Sequence, residues 1–252
     1  MMGAMMHRTI RRFTDQPLSA SQIHDLIEAA QHTATSHYLQ SFSLIHVTDR
    51  ELRDQIATIS KQAYVDAKGE LFIFVADQYR AAHLPQAADF AAVGAEAVTQ
   101  ALGSTDKFLQ AASDGLLATQ NLVTTAEAAG LGTVILGSIL NDPLRLIALL
   151  HLPPLTFPLC GVIVGYPDQA PQLKPRLPQA LMAFENGYAL PAAWQTSLAV
   201  YDKQVERYYA TRATNRRVES FRHLLANGAK ATPAKRSELY RALRSQGFLT
   251  EA

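Results

Sequence analysis

Apolar and polar positions alternate along this chain with periods that name most of its elements. Ser19-Ala-Ser-Gln22 has the spacing of a capping box, and Ile23, Leu26, Ile27 and Ala30 follow at helical intervals, which predicts a helix over 19–32. Leu44–Thr48 reads as a strand and 50–60 as a second amphipathic helix. Leu71-Phe-Ile-Phe-Val-Ala76 is an unbroken apolar run, the pattern of a strand buried on both faces. Helices are predicted over 89–102 and 107–129, the second ended by Gly130-Leu-Gly132, and a short strand over 133–136. Asp142 before Pro143 is an N-cap with proline at the first helical position, opening a helix to about residue 150. A buried strand over 158–166 closes at Pro167-Asp168, and 169–192 is irregular and dotted with prolines. Two more helices are predicted, over 194–211 and 233–246. This divides the chain into a body, 1–192, and a helical tail, 193–252.

Between 110 and 165 the only charged residues are Asp114, Glu127, Asp142 and Arg145. A long helix with so little charge is buried on most sides, either as the central helix of the fold or as a seam between two copies. Composition points the same way. Apolar residues are 48% of 252, which excludes a disordered chain, and charged residues are only 18%, which suggests surface hidden against a subunit or a ligand. No uninterrupted apolar stretch reaches membrane-spanning length and the start has no signal-peptide core, so a cytoplasmic setting is expected. The single Cys160 excludes an intramolecular disulfide, a multi-cysteine zinc site and an iron–sulfur cluster, and its apolar surroundings predict an inert buried thiol.

Charge is uneven. Residues 201–252 carry 11 Lys/Arg against 5 Asp/Glu, while 1–200 carry 12 against 17. A basic tail suits an anionic partner, either nucleic acid or a phosphate-bearing small molecule. There is no glycine-rich dinucleotide loop, P-loop, nucleophile elbow or metal-ligand spacing of histidines. An enzyme of this sequence therefore takes its reactivity from a bound cofactor, with no catalytic side chain and no metal expected. Three basic clusters are the positive signals: His7-Arg-Thr-Ile-Arg-Arg-Phe13, Lys174-Pro-Arg176-Leu-Pro178, and Tyr208-Tyr-Ala-Thr-Arg212 running to Arg216-Arg217. Read in isolation, the first is also a solvated basic stretch, the second an ordinary surface linker and the third a charged helix end.

Taken in order, these clusters resemble a known family. His7-Arg-Thr-Ile-Arg, the polar stretch ending Tyr38-Leu-Gln40, Ala129-Gly-Leu-Gly-Thr-Val-Ile-Leu-Gly137, Pro158–Pro167, Leu173–Pro178, and Tyr201-Asp followed by Tyr208–Arg212 are similar to the nitroreductase superfamily. Within it they resemble the oxygen-insensitive NADPH nitroreductases and flavin reductases. The resemblance implies an α+β fold with a mostly antiparallel central sheet wrapped by helices, in an intertwined homodimer whose tail reaches over the partner. It implies FMN as cofactor and NADPH as co-substrate. The implied reaction is ping-pong reduction of small-molecule acceptors (nitroaromatics, quinones or free flavins), with neither nucleic acid nor membrane as partner.

By the same resemblance His7, Arg8 and Thr9 match the FMN phosphate site, and Arg11 the cation at the N1/O2 edge of the ring. Lys174 and Arg176 match the loop that closes on the phosphate. Thr35 falls on the ribityl side, Gln62 at an amide contact to the ring, and Leu136, Gly137 and Ser138 beside the ring. Arg212 and Arg216 match arginines that take the 2′-phosphate of NADPH, and Arg236 a further substrate-side arginine. The chain departs from the family in its short lead of six residues before His7, in Ile135 for an aromatic, and in Ser138 for a glycine. A basic-tailed nucleic-acid binder and a flavin-binding protein without turnover remain the alternatives.

Overall fold

A computed structural model describes residues 4–65, 68–213, 215–230 and 232–250. By its contacts the chain forms two compact units: Thr9–Gln169 with Met1–Met5 and Pro233–Ala252, and Ala170–Thr232 with Met6–Arg8.

The larger unit is built on one antiparallel sheet of β1 (Phe42–Val47), β2 (Glu70–Asp77), β3 (Gly132–Leu136) and β4 (Thr156–Gly165), in the order β1-β2-β4-β3. Its helices are α1 (Ala20–Gln31), α2 (Arg50–Ser60), α3 (Tyr79–His83), α4 (Ala95–Leu102), α5 (Thr105–Ala128) and α6 (Pro143–Leu149), with Leu239–Ser245 near the C-terminus. The capping signals act as read. Ser19 Oγ accepts the Gln22 N–H at 3.2 Å, and Gln22 Oε1 accepts the Ser19 N–H at 2.9 Å. Asp142 accepts the Arg145 N–H at 3.3 Å, with Pro143 as the first helical residue.

Both faces of the sheet are covered, which is why β2 is apolar without alternation. Leu71, Ile73 and Val75 pack toward Ile56 and Ile59 of α2, while Phe72 and Phe74 pack toward α1 and α5. Each such large side chain contributes about 1.5–3 kcal/mol on burial. α5 lies close against the sheet at Gly115, where an added Cβ would lie 2.5 Å from Leu159 Cδ1. One face of α5, including Ala118, Leu122 and Ala126, is fully buried. On the rest of its surface Leu109, Leu116 and Leu117 are each at least half exposed.

The smaller unit holds α7 (Trp194–Thr211) and α8 (Phe221–Gly228). Tyr201, Val205 and Tyr209, spaced four apart on α7, form its buried centre with Leu177 and Phe221 packed on them. Asp202 ties the helices together, accepting the Arg222 N–H at 3.1 Å and pairing with its guanidinium.

Four expectations differ from this structure. The predicted 89–102 helix is broken at Gly94, whose φ of +84° suits glycine, leaving a 3-10 turn at Ala87–Phe90 before α4. The 233–246 helix is shorter; a 3-10 turn at Arg236–Glu238 precedes the helix Leu239–Ser245, here α9. α8 was not anticipated. The boundary between units falls near 170 rather than 192, because Leu177 packs on α7 and Pro175 accepts the Tyr201 hydroxyl at 3.1 Å. The last residues return to the larger unit, where Ala242 and Phe248 are buried with Ala111 and Phe157.

Candidate cofactor-binding site

In the larger unit the N-terminal arm lies along β3. Thr9 and Thr133 form a parallel bridge, the Ile10 N–H donates to Thr133 O at 2.8 Å, and Phe13 bridges Pro167. Ile10 and Phe13 are buried, which turns Arg11 and Arg12 outward. Arg12 is held structurally, donating to Asp168 O at 2.8 Å. Arg11 instead lies over the Tyr64 ring at 5.8 Å. Tyr64 is two residues past Gln62, which is half-buried just beyond the left-handed C-cap Lys61.

Leu136 is buried at the end of β3, and Gly137 and Ser138 open the 3-10 turn Gly137–Asn141. No atom comes within 4 Å of a Cβ built on Gly137, so the backbone there faces open space. Asn141 Nδ2 donates to Ser60 O at 3.3 Å, joining this turn to the end of α2 just before Gln62. Arg236 is engaged on the same turn, its Nη1 donating to Gly137 O at 2.9 Å and to Asn141 Oδ1 at 3.2 Å. Arg11, Gln62 and Leu136–Ser138 thus sit on three segments tied to one another.

Thr35 is held by a different device. Asp114 on α5, only 1% exposed, accepts the N–H groups of Ser36 and Ser41 at 2.9 and 3.0 Å. Between those anchors His37, Tyr38 and Gln40 all take left-handed φ, at 51°, 60° and 51°. The role of Asp114 was not anticipated. Its signal was an acid in the otherwise uncharged middle of α5, between Lys107 and Glu127.

In the smaller unit Met6–Arg8 clusters with 170–232, so His7 and Arg8 share a unit with Lys174 and Arg176. Arg176 donates to Lys174 O at 2.7 Å, and the Tyr201 hydroxyl donates to Pro175 O, fixing the loop against α7. Burial pushes the Tyr201 phenol above its usual pKa, with the nearby Arg176 charge pulling partly the other way. Arg212 spends two donors, Nε and Nη2, on Asn215 O, at 2.9 and 2.5 Å. Arg216 Nε donates to Arg212 O at 3.1 Å.

The chemistry of these cations fits an anionic ligand. Arg12, Lys68, Arg80, Arg217 and Arg222 all face carboxylates. Among the described residues Arg8, Arg11, Lys174, Arg176, Arg212 and Arg216 do not. Forked and point cations left without acids suit phosphate oxygens. Among the described residues no group of His, Cys, Asp and Glu is placed to hold a metal ion, and no helix is long and apolar enough to cross a membrane.

Among the described residues each unit therefore presents cations without carboxylate partners, an arrangement that suits a phosphate-bearing ligand. The nitroreductase family model matches residues 4–166, and the model for the C-terminal domain of that family matches 174–251. An NADPH-dependent oxidoreductase of Staphylococcus saprophyticus is 35% identical over 246 residues, covering 96% of this chain and 95% of that protein. The FMN reductase (NADPH) of Bacillus subtilis is 34% identical over 244 residues, covering 96% and 95%. The structure of the NfrA1 nitroreductase from B. subtilis aligns at a TM-score of 0.90 and 32% identity, over 99% of each chain. The chain belongs to the nitroreductase family.

Proposed function

We propose that this protein is an FMN-dependent oxidoreductase that takes electrons from NADPH and passes them to nitroaromatics, quinones or free flavins. Family membership, the FMN and NADPH named for its B. subtilis relative, and the cation pattern support the reading. The observation that carries it is that the six cations at the residues the family resemblance marks, Arg8, Arg11, Lys174, Arg176, Arg212 and Arg216, have no carboxylate partner among the described residues.

When bound, FMN supplies two-electron transfer between the nicotinamide and the acceptor. The chain's residues bind and orient. Arg8 and Thr9, with His7, and Lys174 and Arg176 hold the phosphate by charge-assisted hydrogen bonds. Arg11 keeps a fixed positive charge toward the N1/O2 edge, favouring negative charge there. Gln62 contacts the ring, Thr35 the ribityl side, and Leu136–Ser138 lie along the ring. Arg212 and Arg216 receive the 2′-phosphate of NADPH. A homodimer covers the exposed Leu109, Leu116 and Leu117 of α5, and the setting is cytoplasmic, without nucleic acid or membrane as partner.

The purified protein should be yellow with about one FMN per chain, bleach anaerobically with NADPH, and recover colour with acceptor. Parallel double-reciprocal plots are expected for ping-pong exchange at one site. A colourless chain that fails to take up added FMN would refute the reading. Yellow protein that NADPH does not bleach would leave only a flavin binder.

A further inference from the structure

Three cations from two stretches of chain converge on one buried ring. Tyr209, near the end of α7, is 4% exposed. Lys174 Nζ lies 5.8 Å from its ring centroid, and the guanidinium carbons of Arg212 and Arg217 lie at 4.6 and 4.2 Å. The negative face of a phenol ring attracts such groups.

The backbone fixes this arrangement. The Arg212 N–H donates to Tyr208 O at 3.0 Å, and the Arg217 N–H to Tyr209 O at 3.2 Å. Asn215, at a left-handed φ of 52°, turns its carbonyl to the Arg212 fork. Two turns earlier on the same helix face, the Tyr201 hydroxyl holds Pro175, and with it the Lys174 side of the ring. One buried carboxylate, Glu219, faces Arg217 and also His223. Among the described residues, three positive groups around one ring are offset by one acid that is itself shared, which leaves a local excess suited to a phosphate dianion.

We infer that Tyr209 is a positioning residue for nucleotide choice. Its ring seats Arg212 and Arg217, so that the remaining Nη1 of Arg212 and the exposed guanidinium of Arg216 are presented to a terminal phosphate. This rests on the reading that the arm takes the 2′-phosphate of NADPH.

The test uses the FMN-loaded enzyme with NADPH and NADH in parallel, NADH serving as the internal control. Tyr209→Leu should lower the NADPH-to-NADH ratio of kcat/KM by about 2- to 30-fold, the range that cation–π contacts span. The loss should appear in KM for NADPH, with NADH parameters unchanged. Tyr209→Phe keeps the aromatic face and should keep the ratio within about twofold. Tyr209→Met, similar in reach but without a ring, repeats the measurement if the leucine variant does not fold. A preference that survives loss of the ring, or equal losses for both nucleotides, overturns the role of Tyr209 alone. A wild-type enzyme with no preference for NADPH overturns the nucleotide reading and this inference with it.

Discussion

Replacing Asp114 by asparagine should loosen the 36–41 loop and lower stability without leaving a cavity. The carboxylate accepts two backbone N–H groups at 2.9 and 3.0 Å in a buried setting. Asparagine has nearly the same shape but only one acceptor oxygen, so one N–H keeps a weaker partner and the other meets an NH2 group. A charged hydrogen bond contributes about 1.5–3 kcal/mol, and a stranded buried donor costs about 1–3 kcal/mol. Removing a buried charge returns part of this, which leaves a net loss of roughly 1–3 kcal/mol. In a chain of this size that corresponds to a fall in Tm of about 3–10 °C. The loop itself favours release, because three non-glycine residues held in left-handed conformations cost on the order of 1 kcal/mol each. Chymotrypsin should therefore cut faster after the exposed Tyr38 in the variant, and FMN should leave faster if Thr35 contacts it. A variant that melts within a degree or so of the wild type and resists protease equally would refute the anchoring role.

Arg8→Ala and Lys174→Ala should each weaken FMN by roughly tenfold, the low end for charged hydrogen bonds at exposed positions, read as flavin fluorescence released on dilution. Full retention of flavin in both variants would move the phosphate site elsewhere. Burial pushes the Cys160 thiol above its usual 9.0, so the folded protein should resist thiol reagents at pH 8 and react with one equivalent in denaturant. The sign carries over to stability: the folded thiol stays neutral, so its contribution is intact below the unfolded pKa and is lost as pH rises through the raised one. Leu116→Glu, on the exposed face of α5, should yield a monomer in sedimentation; an unchanged dimer would place the seam elsewhere.

Much of the frame was legible because its signals are local. The Ser19–Gln22 box and the Asp142-Pro143 pair set the helix starts, and the 194–211 reading coincides with α7. β2 was legible for a different reason, since only a strand covered on both faces dispenses with alternation. What escaped depends on tertiary partners. Ser220 caps α8 through the His223 N–H at 3.2 Å, but an eight-residue helix after a charged stretch carries too little periodicity to be seen. The 170–192 stretch has no period at all. Its allegiance is decided by Leu177 and by the Tyr201–Pro175 hydrogen bond. Among the marked site residues, Arg11, Gln62 and Leu136–Ser138 fall on tied segments, whereas Thr35 depends on Asp114, 79 positions away.

The basic excess of the tail illustrates what a charge count conveys and what it does not. Counted along the sequence, every Lys and Arg after residue 200 weighs the same. In space their partners differ. Arg222 faces Asp202 and joins α8 to α7, Arg217 faces Glu219 two residues on, and Lys235 and Arg241 face Glu238 three residues away; each of these charges is offset in part by its acid. Arg212 and Arg216 face no acid among the described residues, and their bonds go to backbone carbonyls, which orient a guanidinium without neutralising it. A cation held by neutral acceptors keeps its full charge in a defined direction, as recognition of a phosphate requires. Partner type, more than net charge, therefore tells which of these arginines keep an unneutralised charge.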